Sequence, residues 1–91
     1  MEECISAEYN KQNARLNVVY KQAMARLTRS QQSDLRKSER EWLRALPAKV
    51  ERCTYPWGED GRMYGFVSTH CQTLFIIERT DWLEKHYPTG R

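Results

Sequence analysis

No apolar run in this chain approaches the length needed to cross a bilayer, no Cys-x-x-Cys occurs, and glycine and proline are scarce outside one stretch. The first absence excludes a membrane-spanning helix, which takes about 18 or more consecutive apolar residues. The second removes the shortest redox and zinc signatures, and the cysteines and histidines that are present (Cys4, Cys53, Cys71, His70, His86) match no zinc-ligand spacing. No strong excess of one charge exists either: 15 lysines and arginines face 12 aspartates and glutamates, a net charge of +3 spread along the chain. That points only weakly to nucleic acid. Finally, no apolar secretory segment follows Met1-Glu2-Glu3-Cys4, which leaves either a cytoplasmic protein or a mature form whose signal has been removed.

What is present is helical pattern. The chain has 91 residues, of which 40% are hydrophobic, enough for one small domain with a modest core. From Ala7 to Leu27 there is no Gly or Pro, and Tyr9, Leu16, Tyr20, Ala23 and Leu27 recur at helical spacings. Lys11, Arg15, Lys21 and Arg26 fall on the opposite, solvated flank. Thr28 and Gln31 fit a capping box, with Ser30 and Ser33 as rival caps, so a second helix begins there and offers Leu35, Trp42, Leu43 and Leu46 to the first. Pro47 should end or kink that helix before about one further turn.

Beyond Cys53 the composition changes. Residues 54–68 contain Pro56, Gly58, Gly61 and Gly65, the punctuation of a loop, together with Tyr55, Trp57, Arg62, Met63, Tyr64 and Phe66. So much apolar area must pack inward or meet a partner. Ser68 or Thr69 can cap a third helix whose stripe takes Cys71, Leu74, Phe75, Ile76, Ile77, Trp82 and Leu83, and Tyr87 to Arg91 read as a frayed tail. The expectation is an all-α single domain over residues 1–91: an antiparallel helical hairpin plus a third helix (about 5–28, 31–52 and 69–86) joined by a long Gly/aromatic loop. Its expected core is Leu16, Tyr20, Leu27, Leu35, Trp42, Leu74, Phe75 and Trp82.

For catalysis, Cys71 could pair with a histidine, or Asp81 with Glu84, but nothing supplies an orienting third group or an oxyanion cradle. No catalytic residue, metal or cofactor is assigned. Glu39, Arg40 and Arg79 suit ion pairs that tie helices together around a tryptophan. Trp57, in its glycine-rich setting, is either an interface anchor or a lid on the open end of the bundle. The three cysteines, being odd in number, leave at least one unpaired within the chain, and a hairpin turning near Thr28 would bring Cys4 to the same end as Cys53.

Met1-x-x-Cys4, Leu16-Asn17-x-x-Tyr20, Leu35 ahead of Glu39-Arg40-x-Trp42-Leu43, then Cys53, and Cys71 ahead of Arg79 and Leu83 together resemble the lysozyme-inhibitor LprI-like family of secreted bacterial helical domains. The resemblance spans nearly the whole chain. It implies export to the periplasm or envelope and a Cys53–Cys71 disulfide, which leaves Cys4 without a partner here; the Cys4–Cys53 pairing and three reduced thiols stay open as alternatives. It also implies a protein partner, a peptidoglycan-degrading enzyme; the composition of the Gly/aromatic loop makes Tyr55, Trp57, Arg62, Tyr64 and Phe66 the expected contacts. An immunity protein neutralising one dedicated bacterial toxin fits the same features. A basic helical nucleic-acid binder or a structural envelope component are the remaining classes.

Overall fold

A computed structural model describes residues 2–55 and 64–87, with the side chains of Glu2, Glu3, Ile5 and Tyr64 outside that description. Three helices account for the described chain: α1 (Glu2–Ala25), α2 (Arg29–Thr54) and α3 (Tyr64–His86). The molecule is elongated, 48 × 24 × 15 Å.

Thr28 starts α2 as its side-chain chemistry dictates. The Gln31 backbone N–H donates to Thr28 Oγ1 at 3.2 Å, and the Thr28 N–H donates to Gln31 Oε1 at 3.0 Å, a reciprocal capping box. Helix α1 stops at Ala25, so the turn is only three residues long, and Gln32 Nε2 ties it down by donating to the Met24 carbonyl at 2.8 Å.

Pro47 does not end α2, which continues unbroken to Thr54. A proline inside a helix loses one backbone hydrogen bond and costs about 3 kcal/mol. The turns beyond it are held in place by burial of Val50 and Thr54, by the Thr54 hydroxyl donating to the Val50 carbonyl at 2.7 Å, and by the disulfide at Cys53. Tertiary anchoring outweighs the local defect, and Pro47 itself faces solvent.

Helix α3 also departs from expectation by starting at Tyr64, not near Ser68, so Tyr64 and Phe66 belong to its first turn and the connection from α2 is shorter than the sequence suggests. A lone glycine costs a helix about 1 kcal/mol, too little to stop one whose Phe66 and Val67 are half-buried. At the other end Tyr87 is no frayed residue: its N–H donates to the Leu83 carbonyl at 2.7 Å and its ring packs on the core.

Helix α3 is the hub. It packs along both α1 and α2, whereas α1 and α2 touch each other little, so the first two helices do not supply each other's main apolar partner. Cys71 meets Cys53 near one end of α3 and Arg79 meets Glu39 further along, so α3 runs antiparallel to α2. The core joins Leu16, Val19 and Ala23 of α1, Leu35 of α2, and Ile76 and Leu83 of α3. Tyr20, Leu27, Trp42 and Trp82 pack against it as partly buried side chains. Leu74 and Leu43 do not: they stand 48% and 52% exposed, and Phe75 is only half-buried, under the Lys49 ammonium. The places a Leu stripe would have taken on α3 go to Thr73 and Thr80, buried because their hydroxyls donate to the carbonyls of Thr69 and Ile76, each at 2.8 Å.

Two substitutions should move stability in opposite directions in urea unfolding. Thr28→Ala removes the cap and lowers it by about 1 kcal/mol. Pro47→Ala restores the missing backbone donor at an exposed position and raises it by about 1–3 kcal/mol. A neutral Pro47→Ala would mean the helix has already relaxed around the proline.

Candidate interaction surface

A charged centre lies between α2 and α3. Arg79 Nε donates to Glu39 Oε1 at 2.9 Å and a terminal nitrogen donates to Ser38 Oγ at 3.0 Å, with the arginine and glutamate side chains only 8% and 16% exposed. The guanidinium lies over the Trp82 ring at 4.3 Å and near the Trp42 ring at 5.7 Å. Desolvation of the cation is therefore offset by one carboxylate, one hydroxyl and two indole faces. Ser38 was not singled out by the sequence, although its place one residue before Glu39 on the same helical turn is the cue. Arg40, by contrast, is exposed and takes no part.

Trp82 extends this centre toward the chain's end. His86 stacks on it with ring centroids 4.4 Å apart, and Tyr87 meets it edge-on at 6.0 Å. On the other side of α3, Arg15 of α1 reaches Glu84 at 2.6 Å and Asp81 at 3.6 Å. These carboxylates thus serve an exposed cross-helix ion pair, which contributes little to stability but fixes which acids remain available to solvent. Among the described residues no group of three or more His, Cys, Asp or Glu side chains is placed to hold a metal ion.

The disulfide joins Cys53 to Cys71, 18 residues apart with Cα atoms 6.2 Å apart, and Cys4 is free and exposed. The alternative Cys4–Cys53 pairing is thereby replaced. The bond ties the last turn of α2 to the second turn of α3 and so closes the segment that carries most of the expected contact residues. Tyr55 lies at its start, 67% exposed, and Phe66 is half-buried in α3. Trp57 and Arg62 lie outside the described residues. Beside the disulfide, Leu46, Pro47, Val50 and Glu51 of α2 and Gln72 of α3 line a shallow groove of about 420 Å³.

This surface thus presents an exposed aromatic, Tyr55, at a disulfide-braced end. The model of the family described as Lysozyme inhibitor LprI matches residues 1–83, which takes in α1, α2, α3 to Leu83, the disulfide and the Glu39–Arg79 pair. Neither the curated proteins nor the solved structures compared with this chain yield a match.

Two perturbations test the braces of this surface. Arg79→Leu leaves the Glu39 carboxylate buried without a partner and should cost about 3–5 kcal/mol, while adding Glu39→Met should recover most of that loss in urea denaturation. Reduction of the disulfide should cost about 3 kcal/mol, read as a lower unfolding midpoint in dithiothreitol than without it.

Proposed function

We propose that this chain, which belongs to the lysozyme inhibitor LprI family, is a periplasmic or secreted domain that binds and blocks a peptidoglycan-cleaving enzyme. The family match over residues 1–83 carries the reading. Two further observations support it. A disulfide between Cys53 and Cys71 suits an oxidising compartment. No helix among the described residues is long and apolar enough to cross a membrane.

In this reading the chain acts as a rigid obstacle. The disulfide limits the freedom of the segment it closes, so less conformational entropy is lost when that segment meets an enzyme. Tyr55, the most exposed large apolar side chain described, supplies an aromatic anchor of the kind that dominates protein interfaces. Trp57, Arg62, Tyr64 and Phe66 belong to the same segment and complete the proposed contact, with Arg62 suited by charge to the paired carboxylates that glycoside hydrolases use.

The test is a lysis assay in which oxidised, purified protein is titrated into a panel of lysozymes acting on bacterial cell walls. Suppressed lysis of at least one enzyme, with a complex visible by gel filtration, is the expected result. Tyr55→Ala should then raise the inhibition constant about tenfold. No inhibition of any panel member, with the disulfide verified intact, overturns the reading.

A further inference from the structure

The outward face of α2 carries a feature that no part of the fold uses. Arg29, Arg36, Arg40 and Arg44 are all exposed and, at about 100° per residue, fall within an arc of roughly 80°. None of the four makes an ion pair or a side-chain hydrogen bond among the described residues, whereas Arg15 and Arg79 are each matched by carboxylates. Of the acids of α2, Glu39 turns inward to Arg79, Asp34 and Glu41 fall outside this arc by helical spacing, and Glu51 falls within it but about 10 Å along the axis beyond Arg44. Leu43, 52% exposed, and Pro47 border the arginines, and Pro47 opens onto the groove with Leu46 and Val50. Unpaired arginine beside exposed apolar surface is the composition of an interface rather than of an ordinary solvated flank.

The spacing narrows the partner. Residues four apart on a helix have Cβ atoms about 5–6 Å apart. The two catalytic carboxyl groups of a glycoside hydrolase lie about 5–9.5 Å apart across the scissile bond, depending on whether the enzyme retains or inverts configuration. Consecutive arginines of the row Arg36, Arg40 and Arg44 therefore match a carboxylate pair one to one, and each planar guanidinium can hold a carboxylate through two parallel hydrogen bonds. The row is about 12 Å long, so the third arginine and Leu43 are left to meet the rim of the cleft.

We infer that this arginine face of α2, edged by Leu43 and Pro47, is the surface that docks on the carboxylate-bearing cleft of a peptidoglycan-cleaving glycoside hydrolase. The inference rests on the inhibitor reading above and goes further by moving the charged contact from Arg62 to a continuous helix. The bound cleft is masked by a helix that offers no glycosidic bond to cleave.

The deciding experiment measures inhibition constants for wild type, the triple variant Arg36→Gln/Arg40→Gln/Arg44→Gln, and a Lys11→Gln/Lys21→Gln variant of α1, on a susceptible lysozyme. Both a soluble oligosaccharide and whole cell walls serve as substrate. Because all five positions are exposed, folding is checked by thermal melts monitored by circular dichroism. The expected result is a rise of about 100-fold or more for the triple variant on both substrates and less than about threefold for the α1 variant, with wild-type inhibition weakening as salt is added. If the folded triple variant inhibits as well as wild type, the arginine face is excluded while the inhibitor reading stands. Inhibition on cell walls alone would mean that the face coats the anionic wall polymer, which overturns docking on the enzyme. If wild type inhibits no lysozyme, the inhibitor reading and this inference fall together, and salt-sensitive binding of a DNA duplex by the same face would identify its partner as nucleic acid.

Discussion

Arg79 brings a permanent positive charge into the seam between two helices, with 8% of its side chain exposed. A guanidinium in that position requires partners at fixed places, and these are Glu39 and Ser38 on α2 and the ring faces of Trp42 and Trp82. Sliding α3 by one turn would strand both charges and cost several kcal/mol, whereas the apolar contacts around Leu35 and Leu83 would tolerate other pairings far better. The pair therefore selects a register more than it adds stability. The disulfide sets the same register independently at the end of α2, where Cys53 meets Cys71. Two fixed points on one antiparallel seam explain how α2 continues past Pro47.

Because α3 holds the hub position, the small size of the domain is less limiting than its length suggests. Each outer helix needs only one apolar stripe, directed at α3, and the rest of its circumference is released for solvent or partners. On α1 the released surface is partly neutralised by the Arg15 contacts to Asp81 and Glu84. On α2 it is not, which is why a chain with a net charge of only +3 still carries a compact row of unpaired arginines.

Much of this was legible in the residues. Thr28 and Gln31 specify the α2 cap because only that pair can satisfy both backbone donors, and the helical spacing of Leu16, Ala23 and Leu35 marks the core. The Glu39 and Arg79 ion pair could be anticipated from its tryptophan setting, but Arg40 could not be separated from it without knowing which way the helix turns. Where the structure departs from the sequence pattern, tertiary packing outranks local punctuation. Pro47 and Gly65 both sit inside helices because burial and the disulfide nearby exceed their local cost. Helix α3 is rich in apolar residues on more than one side, so periodicity could not tell Leu74 from Ile76, and back-bonded threonines took buried places that a polar residue is not expected to hold. Arg36, Arg40 and Arg44 recur at spacings of four, but in the sequence they are interleaved with Lys37, Glu39 and Glu41, which masks the row until the helix is wound.

The placement of those arginines on a helix, and not on a loop, has an energetic consequence. Their backbone is already ordered by the α2–α3 seam, so binding through them requires only side-chain ordering, and adjacent guanidiniums arrive at a partner with their separation preset. The same seam makes the buried charges and the exposed ones interdependent. Glu39 compensates Arg79 inside the protein, which removes the one carboxylate on α2 that would otherwise lie closest to Arg36 and Arg40 and weaken their common field. Pairing within the core thus leaves Arg36, Arg40 and Arg44 as an uninterrupted cationic row, and like charges at preset spacing on a rigid helix are what steer an acidic cleft into a single orientation.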